Sequence, residues 1–305
     1  LYTPLAIIWD DWRARIGLVI VAIYLLAGTV GVAVMPVPHV NDGPLILPPF
    51  VNWNFPLGTG ALGMGLFAQM VHATPAILKM VIAGSIVATG IASFIGMLAG
   101  YKGGFIDRLT MIVTDVMLTI PAFTLTIVIA AVFQPENPFV VGVILAINNW
   151  SGFARSLRSQ VLTVREESYV EASRALGLNT REIVGFDLVP NLAPLIAIYF
   201  VNTARGVIFK SVGLYYLGVL PYSTLNWGVV LQQGYSQGYA LYTWSTAHWL
   251  LVPMVTIVML TLGLILFAQG ADRLFNPRIR ARHADSATDP DVDESIEGET
   301  VATIE

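Results

Sequence analysis

Three charged side chains stand inside long apolar stretches of this chain: Asp115, Arg205 and Lys210. A charge so placed costs several kcal/mol unless it is paired, hydrated, or long enough to reach an interface. For Asp115, about two turns into its stretch, a structural role as a paired carboxylate is the leading reading. Arg205 and Lys210 stay open between two readings. They pair with each other or with backbone carbonyls, or they line a polar path between helices. An acid and a base in such positions could also couple the movement of a proton or ion.

Other chemistry finds less support. His39, His72, His248 and His283 are scattered without ligand spacing, so no metal site is expected. There is no cysteine, which removes disulfide and thiol chemistry and leaves the redox compartment unreadable. Gly58, Gly60 and Gly63 match G-x-G-x-x-G. A dinucleotide fingerprint also needs a preceding strand, a following βαβ unit and an acid about 20 residues on. Here the flanks are Pro-rich and apolar, with no acid between Asp42 and Asp107, so the match is accidental. The phosphate-binding pattern G-x-x-x-x-G-K-[ST] is absent. No cofactor is therefore expected on this chain, and no enzymatic activity.

The elements that hold these residues follow from composition. Of 305 residues, 55% are hydrophobic and 12% charged, about half the usual charged share. Left in water, that apolar area would cost roughly 25 cal/mol per Å². Lipid is the cover that fits. A bilayer core of about 30 Å takes roughly 20 helical residues. Six stretches are candidates: 16–34, 76–100, 109–133, 138–153, 192–214 and 249–269, the fourth being short. The expected fold is all-α and integral to the membrane, with about six transmembrane helices. The chain opens on Leu1, so an initiating Met and further residues are expected to be missing. The apolar run after Arg15 is too long for a signal-peptide core and lacks a small-residue cleavage pattern, which predicts a retained first helix.

Charge orients those helices. Arg13 and Arg15 precede the first stretch, and Lys102 and Arg108 follow the second. Arg155, Arg158, Arg165, Arg174 and Arg181 follow the fourth, and Arg273, Arg278, Arg280 and Arg282 the sixth. Thirteen of the sixteen basic residues thus fall on one side, leaving Lys79, Arg205 and Lys210. The positive-inside rule puts that side, and both termini, in the cytoplasm. The expected layout is a cytoplasmic segment 1–15, a transmembrane domain 16–282 and an acidic tail 283–305. Residues 285–305 carry eight acids and no Lys or Arg, a composition that predicts disorder. Salt adaptation is one source for such a tail and for three Lys against thirteen Arg.

Two connections carry information. The external segment 35–75 is rich in Pro and Gly, with six prolines from Pro36 to Pro56, and reads as an irregular cap over the outer mouth. The cytoplasmic segment 155–191 is long and polar. Glu171-Ala172 and Ala175-Leu176 favour helix, and Gly177 is a natural stop. Asn179 or Thr180 can cap a second helix with Glu182 in its first turn. Two short helices joined at a glycine turn, ending near Pro190, are expected. A DNA-binding helix-turn-helix needs a basic face. From Arg165 to Asp187 the net charge is −2, so nucleic acid is not an expected partner.

At Glu171-Ala172-Ser173, Gly177 and Val189-Pro190 the sequence resembles the cytoplasmic signature of permease subunits of binding-protein-dependent ABC importers. That signature is E-A-A, three residues, G, and later L-P; Ser173 and Val189 depart mildly. Gly100-Tyr101-Lys102-Gly103-Gly104 with Asp107-Arg108, Asp115 through Ile120-Pro121, Trp150 through Arg155, and Asn276-Pro277-Arg278 resemble the dipeptide/oligopeptide/nickel branch, and the second of its paired permeases. The likeness runs from about residue 12 to 282. One departure is marked. The family's charged F-G-T-D-x-x-G-R-D segment is here Leu57 through Gly65, without charges. An acid common near the end of the fifth helix is replaced by Lys210.

The resemblance implies a type I (MetI-like) importer permease fold in the plasma membrane. Its partners would be a second homologous permease, two cytoplasmic ATPase subunits that hold ATP and Mg, and an external solute-binding protein. It implies that Glu171, Ala172, Ser173, Gly177 and Pro190 form the coupling loop docking on an ATPase subunit. Glu171 would be the polar contact, Ala172 and Ser173 would allow close approach, and Gly177 would make the turn. Di- or oligopeptides are the default cargo, with nickel, oligosaccharides and other solutes open. The rival reading is an ion-coupled secondary transporter using Asp115 and Lys210, for which no internal repeat between the halves is evident.

Overall fold

The computed structural model describes residues 11–237 and 241–275. The acidic tail, Asn276-Pro277-Arg278, Arg280 and Arg282 lie outside them. The described residues are helical, with one isolated antiparallel bridge, Thr59–Gly65. Helix α1 is Trp12–Val34, capped by the Asp11 carboxylate on Arg13 N–H at 2.9 Å. It is followed by α2 (Leu66–Lys102), α3 (Gly104–Thr119), α4 (Ala122–Phe133), α5 (Pro138–Ala146), α6 (Trp150–Val164) and α7 (Ser168–Ala175). Then come α8 (Thr180–Tyr216), α9 (Trp227–Ser236) and α10 (Ala247–Phe275).

Among the described residues, α1, α2, α8 and α10 are long and apolar enough to cross a membrane. The pair α3 and α4 makes a fifth if counted as one span, bent by 81°. The bend falls at Ile120-Pro121, as Pro121 predicts, because proline removes one donor and disfavours helix before it. Asn148 Nδ2 donates to the Ile120 carbonyl at 3.1 Å, satisfying a group the break leaves without a helical partner.

Three expected boundaries are corrected. The fourth stretch, 138–153, is not one span: nine-residue α5 ends at a turn around Asn148 and Asn149, and α6 starts afresh at Trp150. The apolar face of α6 (Trp150, Phe153, Ala154, Leu157, Val161) continues well past Phe153 at helical spacing. Helix α2 begins ten residues before 76 and runs through Pro75, so the irregular cap is residues 35–65. Gln69 and His72 lie in this first part of the helix. Both are satisfied, by the Thr224 carbonyl at 3.2 Å and the Met35 carbonyl at 3.1 Å. Lastly, the second helix of the cytoplasmic segment does not end near Pro190. It passes through a π-helical turn, Val184–Leu188, and continues as α8 to Tyr216.

Helix α2 is the hub, packed on α5, α6 and α8. In lipid, close packing of backbones supplies what the hydrophobic effect supplies in water, and small residues permit it. A Cβ on Gly84 would meet the Gly142 carbonyl at 2.5 Å, and one on Gly142 would strike the Met80 backbone. Gly96 lies similarly against Ala154. Helices α1 and α10 join the same way, at Gly17, Gly263, Gly270 and Ala14. Around these contacts Leu66, Ile77, Met80, Leu145, Ile208, Trp227 and Trp249 form the main core. A second cluster holds Ala92, Trp150, Phe153, Leu157 and Leu188. Outward, Ile16, Val19, Ile23 and Leu26 of α1 form an exposed apolar stripe, the surface lipid covers.

Candidate functional site

The glycine-turn hairpin forms where expected. Helix α7 ends in a Schellman motif: Leu178 N–H donates to the Ser173 carbonyl at 3.2 Å and Gly177 N–H to the Arg174 carbonyl at 3.0 Å. Gly177 has φ +81°, and no atom lies within 4 Å of where its Cβ would be. Backbone conformation, not crowding, calls for glycine. The cap of α8 is Asn179 rather than Thr180. Its Oδ1 accepts from Arg181 N–H at 3.0 Å and Glu182 N–H at 3.1 Å, while Glu182 Oε2 accepts from Asn179 N–H at 2.8 Å, a complete capping box.

Val170, Ile183 and Leu188 are buried and fix the hairpin to the bundle. Glu171, Ala172, Gly177 and Pro190 are exposed, and Ser173 is half-buried. Beside them Leu176 is 82% and Phe186 75% exposed. Partial burial, with the carboxylates of Glu167 and Asp187 nearby, raises the Tyr169 phenol above its ordinary pKa.

The base of the hairpin is clamped by arginines. Arg158 Nε and Nη2 donate to the two oxygens of Asp107, both at 2.5 Å, joining α6 to the first turn of α3. Arg155 pairs with Asp115 one turn away on α6. Asp115 is therefore a paired carboxylate as read, but it is not buried: its side chain is 56% exposed. Arg165 Nη1 donates to the Gly100 carbonyl at 2.9 Å, completing the C-terminus of α2. Arg174 lies 5.2 Å above the Tyr101 ring. Sequence reasoning counted these arginines for orientation and missed their pairing. The available signal was the amphipathic pattern of α6, which sets Arg155 and Arg158 beside its apolar face.

The other two interior charges separate. Lys210 Nζ donates to the Leu145 carbonyl at 3.0 Å and Asn149 Oδ1 at 2.8 Å, filling the gap between α5 and α6. Tyr199 donates to the Asn149 carbonyl and stacks on Phe153 with ring centroids 3.8 Å apart. Arg205 does not join this group. It bonds Asn202 and borders a separate cavity between α8 and α10.

A family model described as binding-protein-dependent transport system inner membrane component matches residues 92–281, which include the hairpin and both interior cations. An oligopeptide transport system permease protein of Mycobacterium bovis is 32% identical over 163 residues, 53% of this chain. The chain thus spans 56% of the length of that relative. A dipeptide transport system permease protein of Bacillus subtilis is 27% identical over 285 residues, covering 89% of this chain and 86% of the relative. An oligopeptide transport system permease protein of Haemophilus influenzae is 28% identical over 206 residues, 67% of this chain and 64% of the relative.

Proposed function

Because the chain belongs to the binding-protein-dependent transport system inner membrane components, we propose that it is the membrane-spanning permease subunit of an ATP-driven importer of di- or oligopeptides. The observation that carries the reading is the hairpin: a rigidly capped, outward-facing turn whose second helix is the same rod as span α8. In this proposal Glu171 supplies a polar contact to a cytoplasmic ATPase subunit, and Leu176 and Phe186 supply buried area. Ala172 and Ser173 allow close approach, Gly177 sets the turn, and Pro190 lies where the rod leaves the hairpin. Movement of the ATPase is then passed to α8 directly and to α2 and α3 through the arginine clamps. Two alternately packed arrangements of such rods suffice for inward- and outward-facing states.

The full assembly proposed is this chain, a second homologous permease, two ATPase subunits carrying ATP and Mg, and an external solute-binding protein. The basic side and both termini face the cytoplasm. Peptide cargo is supported by the names of the relatives. An ion-coupled carrier using Asp115 and Lys210 is set aside, since the family is a binding-protein-dependent one. The two residues are also engaged in different places, with Arg155 and with Asn149.

Copurification from membranes tests the reading, comparing wild type with Glu171→Lys and Gly177→Trp. An ATPase subunit should accompany the wild type and be lost from variants that remain folded. Wild type recovered in mild detergent with no ATPase would remove the proposal.

A further inference from the structure

Arg205 lies nine residues before Leu214 and thirteen after Leu192, about 14 Å from the nearer end of the apolar run. A guanidinium there needs hydrogen-bond acceptors. The fold provides one: Asn202 Oδ1, 3.2 Å from Nη1. Nε is buried without a hydrogen-bond partner, and among the described residues no carboxylate pairs with the guanidinium. Lys210, five residues on, holds two good acceptors. Arg205 instead borders an open place between α8 and α10.

That place is a cavity of about 200 Å³ lined by Arg205, Asn202 and Gln269, with Ile198, Val201, Ile265 and Ala268 as apolar walls. Every charged or amide group in the lining can donate, and none is an acid. A planar guanidinium matches a carboxylate with two parallel hydrogen bonds. The apolar walls strengthen such a pair by lowering the local dielectric beside it. We infer that this cavity binds a carboxylate of the cargo, the terminal carboxylate of a peptide being the group every free peptide carries. The inference rests on the importer reading and adds a chemical preference to it. Arg205 is the specificity-determining contact, and Asn202 positions its guanidinium.

The test uses the complete transporter in vesicles, with one binding protein throughout, so that only the permease contribution changes. Uptake of an uncharged-side-chain tripeptide is compared as free acid and as C-terminal amide, for wild type, Arg205→Gln and Arg205→Lys. Wild type should favour the acid, and Arg205→Gln should lower that ratio by about tenfold or more, the worth of one charge-assisted hydrogen bond. The loss should fall on the acid, with amide uptake unchanged, and Arg205→Lys should restore part of the ratio. Equal slowing of acid and amide would make Arg205 structural and overturn the inference, as would an unchanged ratio. An unchanged ratio with loss of copurifying anionic lipid would assign the cavity to a lipid phosphate. Wild type importing neither peptide would sink the peptide reading alone. The site is then decided by thermal shift of the purified complex. Stabilisation by succinate but not succinamide, lost in Arg205→Gln, keeps it; no difference removes it.

Discussion

Removing the Asp107–Arg158 pair should loosen the hairpin from the bundle, and its strength can be bounded from its surroundings. The side chains are 15% and 29% exposed and share two hydrogen bonds at 2.5 Å. An exposed pair contributes about 0–1 kcal/mol, while breaking a fully buried one costs about 3–5 kcal/mol. This pair is bidentate and lies between those limits, so a coupling energy of about 2 kcal/mol is expected. That is roughly a thirtyfold change in the folded-to-unfolded ratio. The assay is a double-mutant cycle of Asp107→Asn, Arg158→Gln and both, read by unfolding in detergent micelles. The double variant should be less damaged than the two single losses summed. Additivity within about 0.5 kcal/mol would refute the clamp, leaving α6 held by its apolar face alone.

Three further outcomes follow from the same geometry. Asn179→Ala should cost about 1 kcal/mol of local stability, seen as faster amide exchange over 180–188 while α2 stays protected; uniform exchange would refute it. Gly142→Val should cost about 3 kcal/mol or more, because its side chain meets the Met80 backbone. Gly90→Ala, with open space at its Cβ, serves as the control and should leave the melting temperature unchanged or raise it slightly, since alanine favours helix. Asn148→Leu should cost about 1–3 kcal/mol by leaving the Ile120 carbonyl unpaired, measured as a drop in midpoint denaturant; an unchanged midpoint would mean the bend satisfies itself.

Local signals were legible where one residue decides the backbone. Gly177, Pro121 and the Asn179/Glu182 spacing each dictate a turn, a bend or a cap from within a few positions, and each is found. Reading failed where a distant group settles a local choice. At the start of α2, Gln69 and His72 sit within a helix because acceptors far along the chain, at Thr224 and Met35, satisfy them. Pro190 looked like a stop, yet proline near the start of a helical segment forfeits little, and the π-helical turn before it absorbs the missing donor. The Asp107–Arg158 and Asp115–Arg155 pairs span 51 and 40 residues. No periodicity within one helix registers such a pairing. Residue types named Arg205 and Lys210 as a matched couple. Only the fold separates a lysine held by two acceptors from an arginine bordering a cavity.

The glycine-lined seam between α1 and α10 has a consequence for how the protein is made. Tyr24 of α1 donates to the Thr256 carbonyl of α10, 232 residues later in the chain. At about 5–20 residues per second, a ribosome takes roughly 10–50 seconds to cover that distance. For that time α1 is in the bilayer without its principal neighbour, held by lipid and by α2 at Gly28 and Gly31, with the Tyr24 hydroxyl still to find its acceptor. The stripe of Ile16, Val19, Ile23 and Leu26 suits it to that wait. The arrival of α10 thus completes the packing of α1, and a chain truncated before Ala247 should leave α1 inserted but without this seam.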